Sequence, residues 1–137
     1  MKTRLKKKLA KKAKAGGPIQ LSSHSTTAKS ASLFATECWR MRKMLPEFAG
    51  NKKFLVLQSS IERMISELAA IGVEIEDPEQ SEFREGMTLR VALFEETTSL
   101  AAGRKMITET LEPAIYLNDR LVNQAKVIVS VGTGASR

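Results

Sequence analysis

The apolar residues change their spacing at Gly72, and this change constrains the fold more than any other feature. Residues 52–71 repeat apolar side chains at helical spacing, and Asn51 is a suitable N-cap. Gly72 then stands where a helix needs a left-handed residue after its last turn. The apolar face of this predicted helix contains Phe54, Leu57, Ile61, Met64, Ile65, Leu68 and Ile71. Such a face packs against another helix, against a β domain or against a second copy of the chain.

After Gly72 the apolar residues alternate with polar ones, which is the period of a β-strand. These alternating or β-branched stretches predict strands at residues 73–75, 87–94, 106–110 and 126–131. Residues 77–79 and 116–119 have the composition of turns. Helices followed by a run of strands indicate an α+β protein with a small, mainly antiparallel β domain.

An earlier helix is predicted over residues 30–45, with Pro46 as its stop. Its apolar positions are Leu33, Phe34, Cys38, Met41, Met44 and Leu45, and Trp39 lies to one side. A lysine run, the sequence Gly16-Gly17-Pro18 and a Ser/Thr stretch precede it and predict disorder. The expected organisation is a disordered basic tail (1–29), a helical segment for dimerisation (30–72), a β domain (73–131) and a flexible C-terminus (132–137).

Positive charge is concentrated at the N-terminus. Residues 1–15 contain eight Lys and Arg and no acid, out of 22 Lys and Arg and 15 acids in the whole chain. The other 14 Lys and Arg nearly balance the 15 acids, so the rest of the chain is close to neutral. An isolated lysine run can bind nucleic acid, an anionic membrane or an acidic protein, and the alternative is a solubilising or weakly tethering tail. The candidate residues for this contact are Lys6, Lys7, Lys8, Lys11 and Lys12.

The sequence has no pattern typical of a catalytic or metal site. His24 is the only histidine and Cys38 the only cysteine, which is too few for a zinc site or for a thiol with a neighbouring base. Glu95 and Glu96 are adjacent on a predicted strand and point to opposite faces. The glycines of residues 132–134 lack the lysine and the following helix of a phosphate loop. We therefore expect a non-catalytic, cytoplasmic binding protein with no cofactor and no transmembrane segment.

The order of residues from Ile71 onward resembles the GrpE family, the nucleotide exchange factors of DnaK-type chaperones. Residues 71–79, followed by Phe83, are similar to that family's linker between its last helix and its β domain. The residues that match the family's C-terminal motif in register are Asp119, Arg120, Leu121, Val122, Ala125, Val127 and Val129. The chain is a divergent example, because Asn123 stands where an Arg is usual and the family's long N-terminal helix is missing.

This resemblance implies a co-chaperone that works as a homodimer. In that family the β domain contacts the ATPase domain of the chaperone and holds its nucleotide cleft open, so that ADP leaves faster. The implied partner-binding residues are Arg120, Asp119, Asn123 and Phe83, with Arg120 as the main anchor. The implied dimer contact uses Phe54, Leu57, Ile61, Ile65 and Leu68. An ion pair of Arg120 with Asp119 or a nearby Glu inside the domain is the alternative.

The separation of charge supports a second interpretation, which does not depend on the resemblance. The chain would be an architectural or adaptor protein whose lysine tail binds nucleic acid or an acidic surface. Its β domain would hold another protein. Salt dependence separates this interpretation from the first, because binding through the tail must weaken steeply as salt is added.

Overall fold

The computed structural model describes residues 18–134, with side chains from residue 26 onward. Within this range it has two α-helices, α1 (Pro18–Met44) and α2 (Phe54–Ala70), with a 3-10 helix, Leu45–Phe48, after α1. The strands are β1 (Val73–Glu76), β2 (Leu89–Thr97), β3 (Lys105–Glu112), β4 (Ala114–Leu117), β5 (Arg120–Asn123) and β6 (Ala125–Gly132). The predicted α+β class is confirmed.

The chain divides into two compact units. The helical unit contains both helices and the sheet β1-β4-β5, and it comprises the chain up to Ile75 together with Ile115–Val122. The sheet unit contains the sheet β2-β6-β3 and comprises Glu76–Ala114 and the chain from Asn123 onward. The expected boundary at Gly72 separates helices from strands along the chain. It does not separate the compact units, because β4 and most of β5 return to the helical unit.

The core of the helical unit joins α1 to its sheet through small residues. Ala31 and Ala35 of α1 are buried in one cluster with Val73 of β1 and Ile115 of β4. Partly buried side chains that pack against this cluster are Leu68, Ile75, Leu117 and Val122. Alanines on the inward face allow a helix to approach a sheet closely.

The inward face of α1 differs from the predicted apolar face. Among residues 26–44, the part of α1 whose side chains the structure describes, the buried residues are Ala31, Ala35, Thr36, Cys38 and Trp39. Trp39 is only 3% exposed, although the spacing of apolar residues had placed it to one side. The exposed residues Leu33, Phe34, Met41 and Met44 belong to the predicted apolar face. The prediction was wrong because helical spacing shows that apolar faces exist, but not which one the chain itself covers.

The two helices begin and end close to sequence signals, with two exceptions. α1 begins at Pro18, well before the expected start near Ser30, and proline at a first helical position has its φ angle preset. Residues 18–29 are therefore helical, while residues 1–17 of the expected tail lie outside the described residues. Asn51 is not the N-cap of α2, since its side-chain oxygen accepts the Lys53 backbone N–H at 2.8 Å before the helix begins.

The sheet unit is built around β6. It pairs with β2 in parallel and with β3 in antiparallel orientation, so one of the two pairings departs from the mainly antiparallel expectation. Ile107, Val127 and Val129 are fully buried here. A short segment lies along β3, where the Gln80 N–H donates to the Ile107 carbonyl at 2.7 Å and the Phe83 N–H to the Lys105 carbonyl at 2.9 Å.

The end of the chain is more ordered than the sequence predicted. The Thr133 N–H donates to the Thr97 carbonyl at 2.9 Å, and the Gly134 N–H donates to the Leu100 carbonyl at 3.2 Å. A Cβ atom at Gly132 would collide with the backbone at Ala101, so glycine permits this close approach. The expected flexible C-terminus was therefore wrong for residues 132–134, and residues 135–137 lie outside the described residues.

Candidate functional site

The site begins at a tight turn between β4 and β5. Only Asn118 and Asp119 connect the two strands, and their φ angles are +52° and +69°. Positive φ at both central residues is typical of a type I′ hairpin turn, and Asn and Asp tolerate this conformation better than other non-glycine residues. The sequence predicted a turn here, but it did not predict the four-residue strands on either side. Arg120 is the first residue of β5 and is therefore held directly beside the turn.

The turn is fixed against the junction between α2 and β1. The Asn118 N–H donates to the Gly72 carbonyl at 2.8 Å. The side-chain amide of Asn118 occupies the space that a Cβ atom at Gly72 would need, and Gly72 itself has a φ of +94°. Gly72 therefore ends α2 and also makes room for the turn. This second role gives Arg120 a defined position.

Arg120 is exposed in the part of the chain that the structure describes. Asp119 is exposed as well. Within residues 18–134, no carboxylate forms an ion pair with the Arg120 guanidinium, so the alternative of an internal pair with Asp119 or a nearby Glu is not realised. A guanidinium that protrudes from a rigid turn can bind a partner carboxylate through two parallel hydrogen bonds.

The other two predicted partner-binding residues lie in the sheet unit and have internal roles. The Asn123 side-chain amide donates to the Pro113 carbonyl at 3.1 Å and to the Gln124 carbonyl at 3.2 Å. Phe83 is half-buried and meets Phe94 edge to face, with ring centroids 6.0 Å apart. Phe94 is itself exposed. Asn123 thus stabilises the backbone at Pro113 and Gln124. Phe83 packs against Phe94, a residue that the sequence analysis did not single out.

The predicted dimer residues are mostly used inside the chain. Ile61 is buried, and Leu68 packs against the core of the helical unit. Phe54 and Ile65 are half-buried, which leaves Leu57 as the exposed member of the set. One apolar face that remains open is on α1 and consists of Leu33, Phe34, Met41 and Met44. These four residues lie in the helical segment (30–72) that the sequence predicted for dimerisation, but they were not among the five residues named for that contact.

Cys38 has the surroundings of an unreactive thiol. Burial raises the pKa of the Cys38 thiol, and the neighbouring Glu37 carboxylate raises this pKa further. The thiol is therefore neutral at physiological pH, whereas nucleophilic chemistry needs the thiolate. In the part of the chain that the structure describes, no three His, Cys, Asp or Glu side chains are grouped as metal ligands.

The described residues also contain no helix that is long and apolar enough to cross a membrane. The tail lysines Lys6, Lys7, Lys8, Lys11 and Lys12 lie outside the described residues, so their contacts stay predictions. Comparison with family models gives no match to this chain, and comparison with curated proteins gives none either. A function must therefore be argued from the order of the residues and the geometry of the site.

Proposed function

We propose that this chain is a divergent GrpE-like co-chaperone that docks on the ATPase domain of a DnaK-type chaperone and promotes ADP release. The observation that carries the proposal is Arg120. It is the position of the family motif best suited to a partner contact, and its exposed guanidinium, directly after the β4–β5 turn, has no ion-pair partner among the described residues. The ordered similarity from Ile71 to Val129 supports the same conclusion.

The mechanism needs no catalytic group on this chain. An ATPase domain moves between a closed state, which retains ADP, and an open state, which releases it. A protein that binds the open state more tightly shifts the population toward that state, by as much as its affinities for the two states differ. Arg120 would contribute by pairing with a carboxylate that is better placed in the open state, and the rigid turn would lower the entropy cost of that contact.

The open face of α1 supports the second part of the proposal, a homodimer. Phe34 and Met41 are seven residues apart, which places them two helical turns apart on the same side of α1. Leu33 and Met44 flank them, and all four side chains are exposed. Covering an apolar side chain of this size contributes about 1.5–3 kcal/mol, so the same face of a second copy is a suitable partner.

The test is the rate at which a DnaK-type ATPase domain releases a fluorescent ADP analogue. Wild-type protein should accelerate release, and Arg120→Ala should lose most of that acceleration. Removing a well-placed interface arginine costs about 1.4–2.8 kcal/mol, or roughly tenfold to a hundredfold in affinity. Arg120→Lys keeps the charge and loses the planar fork, so it should fall between the two.

Arg63→Ala is the matched control, because Arg63 is an exposed arginine of the helical unit on α2. The Arg63→Ala protein should accelerate ADP release by the ATPase domain as much as the wild type does. If wild-type protein leaves the release rate unchanged at concentrations where it binds the domain, the exchange function is wrong. Equal losses in the Arg63 and Arg120 variants would instead assign the effect to general charge attraction.

The charge of the tail favours one alternative, an adaptor that binds a polyanion. Eight Lys and Arg within residues 1–15, with no acid, are a strong electrostatic feature. Replacement of Lys6, Lys7, Lys8, Lys11 and Lys12 by Gln should abolish nucleic-acid binding by the full chain. Binding of the unaltered chain should fall steeply between low and moderate salt. Nucleic-acid binding that survives both changes would refute the adaptor role.

A further inference from the structure

The connection between the two helices exposes large apolar side chains. We define the hairpin tip as residues 40–56. Phe48 in the 3-10 helix is 45% exposed, and Leu55 and Val56 in the first turn of α2 are 70% and 65% exposed. At about 100° per residue, Leu55 and Val56 both lie more than about 100° around α2 from its buried residue Ile61. The packing of α2 onto its own unit therefore does not account for them.

The same stretch of chain is strongly basic. Its charged residues are Arg40, Arg42, Lys43, Lys52 and Lys53, against the single acid Glu47. Arg40 pairs with Glu37, and the Lys43 ammonium lies 5.0 Å from the Trp39 ring centroid. Among the residues that the structure describes, no carboxylate pairs with the Lys52 or Lys53 ammonium. The tip thus combines unpaired cations with exposed apolar groups.

We propose that the hairpin tip docks on the surface of an anionic lipid bilayer. Phe48, Leu55 and Val56 enter the boundary between headgroups and acyl chains, and Lys52 and Lys53 contact lipid phosphates. Apolar side chains combined with cations are the features that hold a peripheral protein at such a surface. This proposal is independent of the chaperone function, since its inserting residues Phe48, Leu55 and Val56 belong neither to the β4–β5 turn nor to the open face of α1.

The arrangement of the apolar residues favours a bilayer over a protein partner. A helix that binds in a groove presents anchors spaced three, four and seven residues apart along one side. Leu55 and Val56 are consecutive and therefore lie about 100° apart around α2. A tip that enters a fluid layer end-on contacts that layer on all sides, so consecutive residues can both insert. Lys52 and Lys53 add charge complementarity to negative headgroups.

The test introduces a second tryptophan at the hairpin tip of the whole chain. The tryptophan fluorescence of the Phe48→Trp protein should be quenched by vesicles that contain phosphatidylglycerol and brominated acyl chains. Neutral brominated phosphatidylcholine vesicles should not quench it. The native Trp39 is buried and gives a constant background. Thr98→Trp, at an exposed position in the sheet unit, is the matched control and should show no added quenching.

The lysine tail can also attract the protein to anionic vesicles, so the design separates the two contributions. Replacing Lys6, Lys7, Lys8, Lys11 and Lys12 by Gln should reduce the amount bound and leave the quenching per bound molecule unchanged. Lys52→Gln with Lys53→Gln should weaken vesicle binding by about fivefold per cation. Leu55→Ser with Val56→Ser should abolish the quenching in the Phe48→Trp background. Circular dichroism verifies that each variant is folded.

Three results would overturn the proposal. One is equal quenching in the Phe48→Trp and Thr98→Trp proteins, and another is no quenching with anionic vesicles. The third is that Leu55→Ser with Val56→Ser leaves quenching intact and halves the molecular mass in solution. That result would make the tip a contact between two copies of the chain.

Discussion

The two units of this molecule differ in how completely they cover their own apolar side chains. Among the described residues, the sheet unit leaves two large apolar side chains exposed, Leu93 and Phe94. The helical unit leaves ten exposed: Leu33, Phe34, Met41, Met44, Phe48, Leu55, Val56, Leu57, Met64 and Ile71. Isolated exposed apolar residues are ordinary, but a concentration of them marks an interaction surface.

The cores of the two units explain this difference. Ile107, Val127 and Val129 are fully buried in the sheet unit, which therefore satisfies its packing by itself. The helical unit buries Ala31 and Ala35 of α1, and these side chains contribute little apolar area. It also buries the larger residues Trp39, Ile61 and Ile115, but ten other large apolar side chains of this unit are exposed. We infer that the sheet unit is complete alone, while the helical unit gains stability from a partner.

The largest expected effect is in the core of the sheet unit. Ile107→Ala should lower the free energy of unfolding by about 2–5 kcal/mol, because it removes buried methyl groups and leaves a cavity. Leu93→Ala, at an exposed position of the same sheet, should change it by less than about 0.5 kcal/mol. Urea denaturation measures both. Similar losses of unfolding free energy in the two variants would contradict this comparison of the units, because the sheet unit would then lack a tightly packed interior.

Gly72→Ala should lower the free energy of unfolding by less, about 1–3 kcal/mol, through backbone strain and displacement of Asn118. Gly86→Ala is the matched control, since Gly86 has a φ of +89° with nothing within 4 Å of its would-be Cβ atom. Gly86→Ala measures the backbone strain alone. The excess cost at Gly72 measures how firmly the Arg120 turn is fixed, and equal costs would mean that the turn moves freely.

An exposed phenylalanine in each unit tests the open surface directly. Phe34→Ser should weaken self-association by about tenfold and leave the unfolding of the dissociated chain nearly unchanged. Phe94→Ser, in the sheet unit, should leave self-association as it is. Sedimentation equilibrium measures both. A wild-type protein that is monomeric at all accessible concentrations would contradict the homodimer.

The smallest expected effect is at Cys38, a buried residue of the helical unit. The native thiol should react slowly with a thiol reagent at pH 8 and rapidly in denaturant, since its pKa is raised by burial and by Glu37. The folded state holds the thiol proton more tightly than the unfolded state. The stabilisation from Cys38 is therefore complete below the ordinary thiol pKa and is lost as pH rises through the raised pKa. Cys38→Ala should remove this pH dependence, and rapid native reaction would contradict the burial.

Local signals in the sequence predicted much of this fold. The apolar repeat of residues 52–71 predicted α2, and the β-branched run of residues 126–131 predicted β6. Gly72 was correctly assigned to a left-handed position. Each of these depends on neighbouring residues along the chain, which the sequence displays directly.

Features that depend on distant residues could not be predicted in the same way. The parallel pairing of β2 with β6 joins segments far apart in sequence, and the strands β4 and β5 are too short to show a period. The sequence analysis assigned Trp39 to the wrong side of α1, because only the tertiary structure decides which side of the helix the rest of the chain covers. For the site, Arg120 came from the residue order, whereas its rigid support by Asn118 and Gly72 required the fold.

The most direct test of the central claim is a calorimetric titration of a DnaK-type ATPase domain with wild-type protein and with Arg120→Ala. We predict saturable binding by the wild type and at least about tenfold weaker binding by the variant. No detectable binding of the wild type at about 100 µM of each protein would contradict the co-chaperone function. Binding that is identical for the two proteins would contradict the role of the β4–β5 turn.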